Sequence, residues 1–403
     1  MMRKAAQHRE QLAALAAQLV QPFFFYDLDA AAAHLSTLTA ERLKLWYAVK
    51  ANPMSAVLRC MQQAGLAFDV ASTGELQQVL KQGISANSIL NTGPAKSTQQ
   101  LREMLLAGVR VFVIESLQQA RDLNALSAEL DLYPTVLLRV QLQWDDAVGS
   151  EGNVLGGCAL TPFGLMPQDW QAFDVSDYPC LSVQGLHIFQ WGNLLDPALL
   201  GQVWQAIVLQ LKALAEQLNI PLNIFDLGGG LGIPYNCADT PLAWSDVCAQ
   251  LKIVQTQLPE SEIWLELGRY AIGSFGYYAC PVIDRKCNGG QTQLVLGGGV
   301  NHLLRPALTS QPFPVALLRD SSADMAYFVL HGPLCTGLDH LGICQLPKDI
   351  MPGDWLVFSQ CGAYGFTESM PWFLCHTLPG EVVYQQGQVD ILRPPEKPDS
   401  WLR

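Results

Sequence analysis

Strand-like runs at a fixed spacing constrain the fold of this chain more than any other feature. Apolar, β-rich runs begin at residues 44, 66, 88 and 110, and a helix-length stretch separates each from the next. This rhythm is typical of a strand–helix repeat whose strands are buried on both faces. In full, the runs span 44–50, 66–72, 88–93, 110–116, 135–142, 183–189, 222–230 and 262–268. Eight such units predict an α/β fold, either a (β/α)8 barrel or a doubly wound sheet.

Polar or glycine residues lie at or just past the C-terminal ends of these runs, which favours the barrel. In a (β/α)8 barrel those ends meet at one mouth, where active sites are built. The alternative, that each residue is a local cap or turn residue, must hold separately at every strand. The residues are Lys50, Asp69, Arg139, His187, Gly228, Gly229, Gly230 and Glu266. We therefore expect a TIM barrel, with the Gly- and acid-rich segment 144–164 as a mobile loop over its mouth.

The rhythm changes after about residue 275, where short alternating runs are broken by Gly, Pro and Asp. This pattern predicts a second, mostly β domain, a barrel or a sandwich. A chain of 403 residues also exceeds one ordinary hydrophobic core. The run "PFFFYD" at 22–27 is a strand outside the eightfold series. We predict a barrel at 30–274 and a β domain made of 1–29, with an N-terminal helix and strand, plus 275–403.

Charge and cysteine content narrow the classes of function. The formal net charge of −12 argues against nucleic acid or an anionic membrane surface as a partner. No run looks long enough to span a bilayer. The 11 cysteines form no C-x-x-C pair and show no metal-ligand spacing. We therefore expect free thiols, no metal site and a cytoplasmic protein.

The stretch "LWYAVKANP" ends an apolar run on Lys50 and then breaks at Asn-Pro. This lysine either reaches the surface from a strand end or holds its amine inside a pocket. A desolvated lysine amine is a nucleophile that forms a Schiff base with an aldehyde. The sequence alone leaves both interpretations open at this point.

The run "DLGGGLG" at 226–232 could bind a phosphate through backbone N–H groups, although glycine-rich turns are common without any ligand. It matches neither the dinucleotide nor the nucleoside-triphosphate motif, because position 233 is Ile and no Lys-Ser/Thr follows. A single phosphate is the better fit.

The run "ELGR" places Glu266 and Arg269 at one strand end, where they could simply form an ion pair. An aldehyde cofactor with a phosphate and a pyridine nitrogen would use both groups. A carboxylate keeps such a ring nitrogen protonated, and an arginine helps to hold the phosphate.

Together these motifs resemble the fold-type III pyridoxal-phosphate decarboxylases, the group of the ornithine, diaminopimelate and arginine decarboxylases. The resemblance runs from "PFFFYD" to "GEVV", nearly the whole chain, with the motifs in family order. It implies pyridoxal 5'-phosphate as the cofactor. "YAVKAN" resembles the cofactor-lysine motif, which places Ala48 at the cofactor and gives Lys50 the Schiff base. Asp69 of "FDVASTGE" would lie near the cofactor, and Arg139 of "LLRV" behind its ring.

The same resemblance assigns the remaining cofactor groups. The glycines 228–230, Arg269 and Tyr364 of "CGAYGF" would bind the phosphate. Glu266 would face the ring nitrogen. "GPLCTGLD" resembles the motif whose cysteine, here Cys335, enters the active site from the partner subunit of a homodimer.

One motif departs from the family pattern, in which a His-x-Gly-Ser run after the sixth strand supplies a ring-stacking His and a phosphate-binding Ser. Here the run is "GLHIFQWGN". Either His187 stacks with altered spacing, or Phe189 stacks and His187 lies behind it. We favour Phe189. Because the serine is missing, the phosphate must depend more on the glycines, the arginine and the tyrosine.

The glutamate separates two reactions that occur on this fold. The alanine racemases, which resemble the barrel half, place an arginine against the ring nitrogen and leave the ring a weaker electron sink. With Glu266 there, carbanion delocalisation is strong, as loss of CO2 requires. The resemblance thus implies an amino-acid decarboxylase in which Cys335 protonates the α-carbon.

Thr336 stands where family members that act on diamines have Asp or Glu, which pairs with the distal ammonium. A buried cation without a carboxylate is strongly disfavoured, so we expect a substrate that lacks a free distal amine. "NHLLRPAL" resembles the diaminopimelate branch and implies that Arg305 binds a substrate carboxylate, with His302 as a second donor. Asp339 of "GPLCTGLD" is a further substrate-binding candidate.

This pattern, with "GAYGFTESMPWFLCH", looks like the branch serving carboxylate siderophore pathways, where citrate-conjugated serine or diaminopropionate is decarboxylated. Diaminopimelate decarboxylase is the alternative within the class, and Thr336 counts against it because its substrate has a distal ammonium. A silent regulatory homologue and a plain cofactor-binding barrel are the alternatives from other classes. Intact Lys50, Glu266 and Cys335 argue against the first, and the β domain with its cysteine motif argues against the second.

Overall fold

The computed structural model describes residues 7–143, 161–236 and 238–402. Most of the loop expected at 144–164 therefore lies outside the described residues. The chain divides into two compact units. We call residues 34–232 and 241–270 the barrel unit, and the remainder (1–33, 233–240 and 271–403) the β unit.

Strands and helices alternate through the first two thirds of the chain, and strands dominate the last third. The strands are β1 (Phe23–Asp27), β2 (Leu43–Ala48), β3 (Ala67–Val70), β4 (Ile89–Asn91), β5 (Val111–Ile114), β6 (Thr135–Arg139), β7 (Ser182–His187), β8 (Ile224–Asp226), β9 (Glu262–Leu267), β10 (Gly276–Asn288), β11 (Gln291–Leu296), β12 (Val315–Leu317), β13 (Met325–His331), β14 (His340–Pro347), β15 (Trp355–Ser359), β16 (Gly380–Gln385) and β17 (Gln388–Arg393). The α-helices are α1 (Arg9–Leu19), α2 (Leu28–Leu35), α3 (Ser55–Gln63), α4 (Thr73–Leu80), α5 (Thr98–Ala107), α6 (Leu117–Leu130), α7 (Pro167–Trp170), α8 (Pro197–Leu218), α9 (Trp244–Gln257), α10 (Arg269–Ile272) and α11 (Arg305–Thr309).

Strands β2 to β9 are parallel, pair in sequence order and close into a barrel, because β9 pairs back with β2. Each of the eight runs predicted from sequence lies on one of these strands, and a helix from α3 to α10 follows each strand. The prediction of a (β/α)8 barrel is confirmed. Short, wholly buried strands such as β3 and β4 explain why the sequence shows continuous apolar runs rather than alternation.

Serine caps fix where three of the barrel helices begin. Ser72, Ser97 and Ser116 precede α4, α5 and α6, and each side chain accepts a hydrogen bond from a backbone N–H three residues later. These caps satisfy N–H groups that a helix start would otherwise leave unpaired. Because the caps follow the strands within a few residues, they also set the length of the loops at the barrel mouth.

The β unit is built on a sheet with the order β14–β13–β11–β10–β1–β16–β17, to which β15 adds through β10 and β12 through β15. The N-terminal strand β1 lies antiparallel to β10 and parallel to β16. Helix α1 packs Leu12 and Leu15 into a core with Phe23 and Phe25 of β1. The expectation of a mostly β second domain is confirmed.

Among the described residues, the single helix α8 is long and apolar enough to cross a membrane by length and composition alone. No such run is expected from the sequence. Half of its most apolar window is buried inside the protein. Its buried side chains, among them Trp204 and Leu211, belong to the outer layer of the barrel, and this accounts for its hydropathy.

Candidate active site

Strand register gathers the predicted polar residues at the carboxyl end of the barrel. Ala48 at the end of β2 is paired with Asp69 of β3. Arg139 at the end of β6 is paired with His187 of β7, and His187 in turn with Asp226 of β8. All five residues are buried. The strand ends therefore deliver charged groups to one enclosed edge, as expected of a barrel mouth.

Lys50 follows β2 in a short 3-10 turn, Val49–Ala51. The turn buries Val49 and Ala51 and leaves Lys50 exposed between them. The desolvated amine considered in the sequence analysis is therefore not what the structure shows. The lysine charge nevertheless reaches the mouth, because it opposes the rise in the pKa of both Asp69 and Glu75.

Asp69 is a buried carboxyl group beside this lysine. Thr92 Oγ1 donates a hydrogen bond of 2.6 Å to its Oδ1. Burial raises the pKa of Asp69 to about 7 and the Glu266 charge adds to the rise, whereas Lys50 and the Thr92 hydrogen bond oppose it. Asp69 therefore titrates near neutral pH.

Glu266, His187 and Asp226 form a buried cluster across β9, β7 and β8. His187 Nε2 donates a 3.0 Å hydrogen bond to Glu266 Oε1. Burial alone would raise the pKa of Glu266, but the charge and hydrogen bond of His187, with Lys50 and Arg139, hold it below its usual range. Burial and the Glu266 charge raise the pKa of Asp226 well above its usual range. The cluster thus contains two carboxyl groups whose pKa values are shifted in opposite directions.

Metal ligation is a second chemistry that these three side chains could support, since their ligand atoms lie within 4.8 Å of one another. The direct bond between His187 and Glu266, however, joins two atoms that a metal would need to separate. Glu266 is paired with this histidine. The geometry is that of a hydrogen-bonded acid cluster.

The glycines after β8 form a turn that has no room for side chains. Gly228 and Gly230 have φ of +65° and +104°, which strongly favours glycine. A Cβ on Gly229 would lie 2.5 Å from the Glu266 carbonyl oxygen. The Phe189 side chain borders this turn, 3.5 Å from that added Cβ. The turn therefore consists of backbone packed closely against neighbouring strand ends, beside one aromatic ring.

The sequence analysis missed three residues of this mouth, namely Thr92, Lys96 and Glu115. Thr92 bonds to Asp69, Glu115 pairs with Arg139, and the buried Lys96 pairs with Glu115. Thr92 and Glu115 directly follow β4 and β5, so the rule that selected the other strand ends would also have found them. Lys96 lies further along a loop and carries no such signal.

Two residues of the β unit that were predicted to bind substrate form hydrogen bonds within that unit. His302 is 1% exposed. It bonds to the Tyr278 hydroxyl at 2.7 Å and to the Thr377 carbonyl at 3.3 Å. Burial lowers the pKa of His302 to about 3, so the ring is neutral. These bonds occupy both ring nitrogens, which counts against the second-donor role expected for His302.

Asp339 uses both carboxylate oxygens on backbone groups. Val300 N–H donates to Oδ1 at 2.8 Å, and Leu334 N–H donates to Oδ2 at 2.6 Å. Asp339 therefore stabilises the conformation of the loop that carries Cys335 and Thr336. This role counts against direct substrate binding by Asp339.

The other predicted residues of the β unit are at least partly accessible. Cys335 is an exposed free thiol, and Thr336 is half-buried. The Arg305 guanidinium stacks 4.5 Å from the centre of the Tyr235 ring. Tyr364 is half-buried with φ of +53°, an uncommon conformation for a non-glycine residue.

The barrel mouth fits pyridoxal phosphate by the chemistry of its groups. Lys50 supplies an amine that can react with an aldehyde, Glu266 supplies a carboxylate with a lowered pKa for a protonated ring nitrogen, and the glycine turn suits a phosphate. His187 Nδ1 is buried and has no hydrogen-bond partner among the described residues. The donor set therefore matches the cofactor group by group.

Comparison with known proteins agrees with this chemistry. Residues 28–273 match the family model described as pyridoxal-dependent decarboxylase, pyridoxal binding domain. The chain is 29% identical to a 2-[(L-alanin-3-ylcarbamoyl)methyl]-2-hydroxybutanedioate decarboxylase of Staphylococcus aureus, over 91% of this chain and 95% of that protein. It is 26% identical to the diaminopimelate decarboxylase of Campylobacter jejuni, over 92% of each chain.

Solved structures share the fold. The diaminopimelate decarboxylase of Helicobacter pylori, complexed with L-lysine, superposes with a TM-score of 0.83 at 22% identity, over 94% of this chain and 95% of that one. The family model covers more than half of the chain. The chain therefore belongs to the pyridoxal-dependent decarboxylase family and is a pyridoxal-phosphate-dependent enzyme.

Proposed function

We propose that this decarboxylase acts on an amino-acid conjugate whose far end carries an acidic acyl group in place of a free amine. A citrate conjugate of diaminopropionate or of serine is the best candidate. The observation that carries the proposal is the chemistry of the loop containing Thr336 and Asp339.

That loop offers no free carboxylate to a distal ammonium. Position 336 is a threonine, and Asp339 is the one acid in "GPLCTGLD". Both oxygens of Asp339 already accept backbone hydrogen bonds. A distal ammonium bound here would lose its hydration without gaining an ion partner, which is strongly unfavourable. An amide, in contrast, can bind beside a threonine hydroxyl.

Arg305 supports an acidic far end. Tyr235 stacks on its guanidinium, and Gln311 accepts a 2.8 Å hydrogen bond from Nη2, so the side chain is held in place. A fixed guanidinium suits planar, bidentate recognition of a carboxylate. The name of the S. aureus relative denotes a citrate amide of the 3-amino group of diaminopropionate, which combines an amide with several carboxylates.

The barrel residues take cofactor roles in this proposal. Bound pyridoxal phosphate supplies the electron sink that permits loss of CO2 from the α-carbon. Lys50 would bind the aldehyde carbon, and Glu266, whose pKa is lowered by His187, would hold a proton on the ring nitrogen. Phe189 would be the residue that stacks on the ring, because His187 is hydrogen-bonded to Glu266. Racemisation, the other reaction on this fold, is disfavoured, because the alanine racemases place an arginine and not a carboxylate at the ring nitrogen.

Ala48, Asp69 and Arg139 complete the cofactor surroundings in the proposal. Arg139 would support the ring from behind, and Asp69 would act beside the Lys50 amine, whose charge already influences its pKa. The glycine turn and Arg269 would hold the phosphate. Tyr364 remains a candidate for the same role from its sequence motif. Positive φ at Tyr364 fits a residue whose backbone is held in place for binding.

Cys335 protonates the α-carbon after CO2 has left, and we assign it to the site of a partner subunit in a homodimer. Its thiol is exposed in the single chain, as a residue that completes a neighbouring site should be. All nine cysteines among the described residues are free thiols, which fits a reducing compartment, and we place the enzyme in the cytoplasm.

A mass-spectrometric assay of the cofactor-loaded enzyme tests the substrate. The panel contains the citrate conjugates of diaminopropionate and serine, meso-diaminopimelate, lysine and ornithine, each scored for loss of CO2. We expect kcat/KM for one conjugate to exceed that for every free diamino acid by about 100-fold. Thr336→Asp should narrow this ratio, whereas the matched Thr336→Ser variant should keep it.

Preferred turnover of meso-diaminopimelate by the unaltered enzyme would reject the conjugate and support the diaminopimelate alternative. Full cofactor binding without turnover of a broader amino-acid panel would instead support a non-catalytic regulatory homologue.

A further inference from the structure

A second lysine lies at the barrel mouth, and its side chain is fully buried. Lys96 follows β4, and its ammonium donates to the Gly93 carbonyl oxygen. It lies 3.5 Å from Gln119 Oε1 and 3.7 Å from Glu115 Oε1. Its side chain is 0% exposed, in contrast to the exposed Lys50. Lys96 is therefore enclosed by protein and has no direct access to a ligand.

Glu115 connects this lysine to the rest of the mouth. Its Oε1 accepts a hydrogen bond from Arg139 Nη1 at 3.1 Å and from Gly93 N–H at 2.8 Å. Its Oε2 accepts from Gly164 N–H at 3.2 Å. One carboxylate thus ties the loop after β4 and the chain returning at Gly164 to the end of β6. Any movement of Glu115 would displace the Arg139 guanidinium.

Gln119 holds the backbone of Glu115 and of the loop that carries Lys96. Its Oε1 accepts from the Glu115 backbone N–H at 2.8 Å, and its Nε2 donates to the Pro94 carbonyl at 2.8 Å. The network contains two cations, Lys96 and Arg139, and a single carboxylate at Glu115. Lys96 therefore neutralises part of the negative charge of Glu115. As a result, Glu115 neutralises less of the positive charge of Arg139.

The remaining positive charge of Arg139 acts on Glu266, the carboxylate assigned to the cofactor's ring nitrogen. The charge of Arg139 acts to lower the pKa of both Glu266 and Asp226. Arg139 also packs its guanidinium 4.6 Å from the centre of the Phe163 ring, so its position is fixed from two sides. Lys96 thus influences the ring-nitrogen site through two intermediates, Glu115 and Arg139.

We propose that Lys96 is a positioning residue for the cofactor site. Through Glu115, Lys96 holds the Arg139 guanidinium at the barrel mouth and keeps the positive charge of Arg139 available there. The inference rests on the proposed function in one respect, the placing of Arg139 at the cofactor. It adds a buried lysine that the mechanism does not otherwise use.

Titration of the cofactor-free protein with pyridoxal phosphate, without substrate, tests the proposal. The variants are Lys96→Met and Glu115→Gln. Lys44→Met is the matched control, because Lys44 lies at the opposite end of β2, 4.1 Å from the centre of the Trp46 ring. We expect Lys96→Met to raise the Kd for the cofactor about tenfold and to shift the absorption spectrum of the bound cofactor. Lys44→Met should leave both unchanged.

Thermal melting of each cofactor-free variant separates this role from general stabilisation. If Lys96→Met fails to fold, Lys96→Gln keeps a donor without the charge and should show the same spectral shift. Unchanged affinity and spectrum in the Lys96 variants, with normal binding by the unaltered protein, would overturn this inference alone. No cofactor binding by the unaltered protein would overturn the cofactor assignment itself, and this inference with it.

Discussion

Two lysines at the barrel mouth have opposite environments, and only one could be located from the sequence. Lys50 ends a strand-like run, which marks it as a mouth residue, although its exposure depends on the turn after β2. Lys96 lies in the loop "TGPAKS", which has no pattern of its own. It is buried because Glu115 and Gln119, from the next βα unit, enclose it. Such burial depends on contacts between units and leaves no local signal.

Asp69 should make the stability of the cofactor-free protein depend on pH. Its pKa in the folded state is about 7, above the usual value of 3.8. Between these values the unfolded state has lost the proton and the folded state has kept it, so stability falls as pH rises toward 7. Asp69→Asn removes this effect. We expect the variant to gain about 3 kcal/mol relative to the unaltered protein between pH 5 and pH 8.

Chemical denaturation at the two pH values measures this gain. Asp174→Asn is the control, because Asp174 is exposed and hydrogen bonds from Ser176 lower its pKa. This control should show no comparable gain. A gap between Asp69→Asn and the unaltered protein that stays constant from pH 5 to pH 8 would contradict the assigned titration.

At the scale of elements, strand register brings the site together. Pairing of Arg139 with His187, and of His187 with Asp226, follows from a closed parallel barrel whose strands end at similar heights. The sequence could predict which residues end strands, because apolar runs stop there. It could not predict that His187 would bond to Glu266, since β7 and β9 are not neighbours in the barrel.

The glycine turn after β8 should not tolerate a side chain at its centre. A Cβ at Gly229 meets a carbonyl oxygen at 2.5 Å, and backbone cannot rotate away as a side chain can. We expect Gly229→Ala to lower the free energy of unfolding by about 1–3 kcal/mol and to weaken cofactor binding. Thermal melting and cofactor titration measure the two effects.

Gly74→Ala is the matched control for this prediction. A Cβ on Gly74, in α4, would lie 3.7 Å from Ser72 Oγ, an ordinary contact. Alanine is also the better helix former, so this control should melt no lower than the unaltered protein. Equal melting temperatures and cofactor affinities for the two variants would contradict the steric argument.

At the scale of the whole molecule, the sequence predicted the barrel more completely than the β unit. Local strand–helix order is sufficient to define a (β/α)8 barrel. The β unit instead pairs β1, near the N-terminus, with β16, more than 350 residues later. Such long-range pairing leaves no periodic signal. The same limit applies to the contacts of His302 and Asp339, since their partners Tyr278 and Val300 come from the unit's own packing and leave no sequence signal.

Shared active sites would make two inactive chains complementary. Lys50→Ala should lose the cofactor linkage and Cys335→Ala the proton donor, and each homodimer should be nearly inactive. Random reassociation gives mixed dimers in which one of the two sites is intact. We therefore expect the mixture to recover about a quarter of the unaltered specific activity.

The control is Lys50→Ala mixed with the double variant Lys50→Ala/Cys335→Ala, which cannot form an intact site. Absence of recovery in the first mixture, with subunit exchange verified by mass spectrometry, would mean that each chain supplies its own Cys335.

The two backbone bonds to Asp339 have a consequence for redesign of the enzyme. They shape the loop from Leu334 onward, and the side chain at position 336 adds one longer hydrogen bond, which Thr336 Oγ1 accepts from Leu338 N–H at 3.3 Å. Substrate selectivity at position 336 can therefore be changed while Asp339 continues to hold the loop conformation. An engineer can vary Thr336 across acids, amides and apolar groups while the loop keeps its form. Single substitutions at this position can therefore be screened for activity on new substrates.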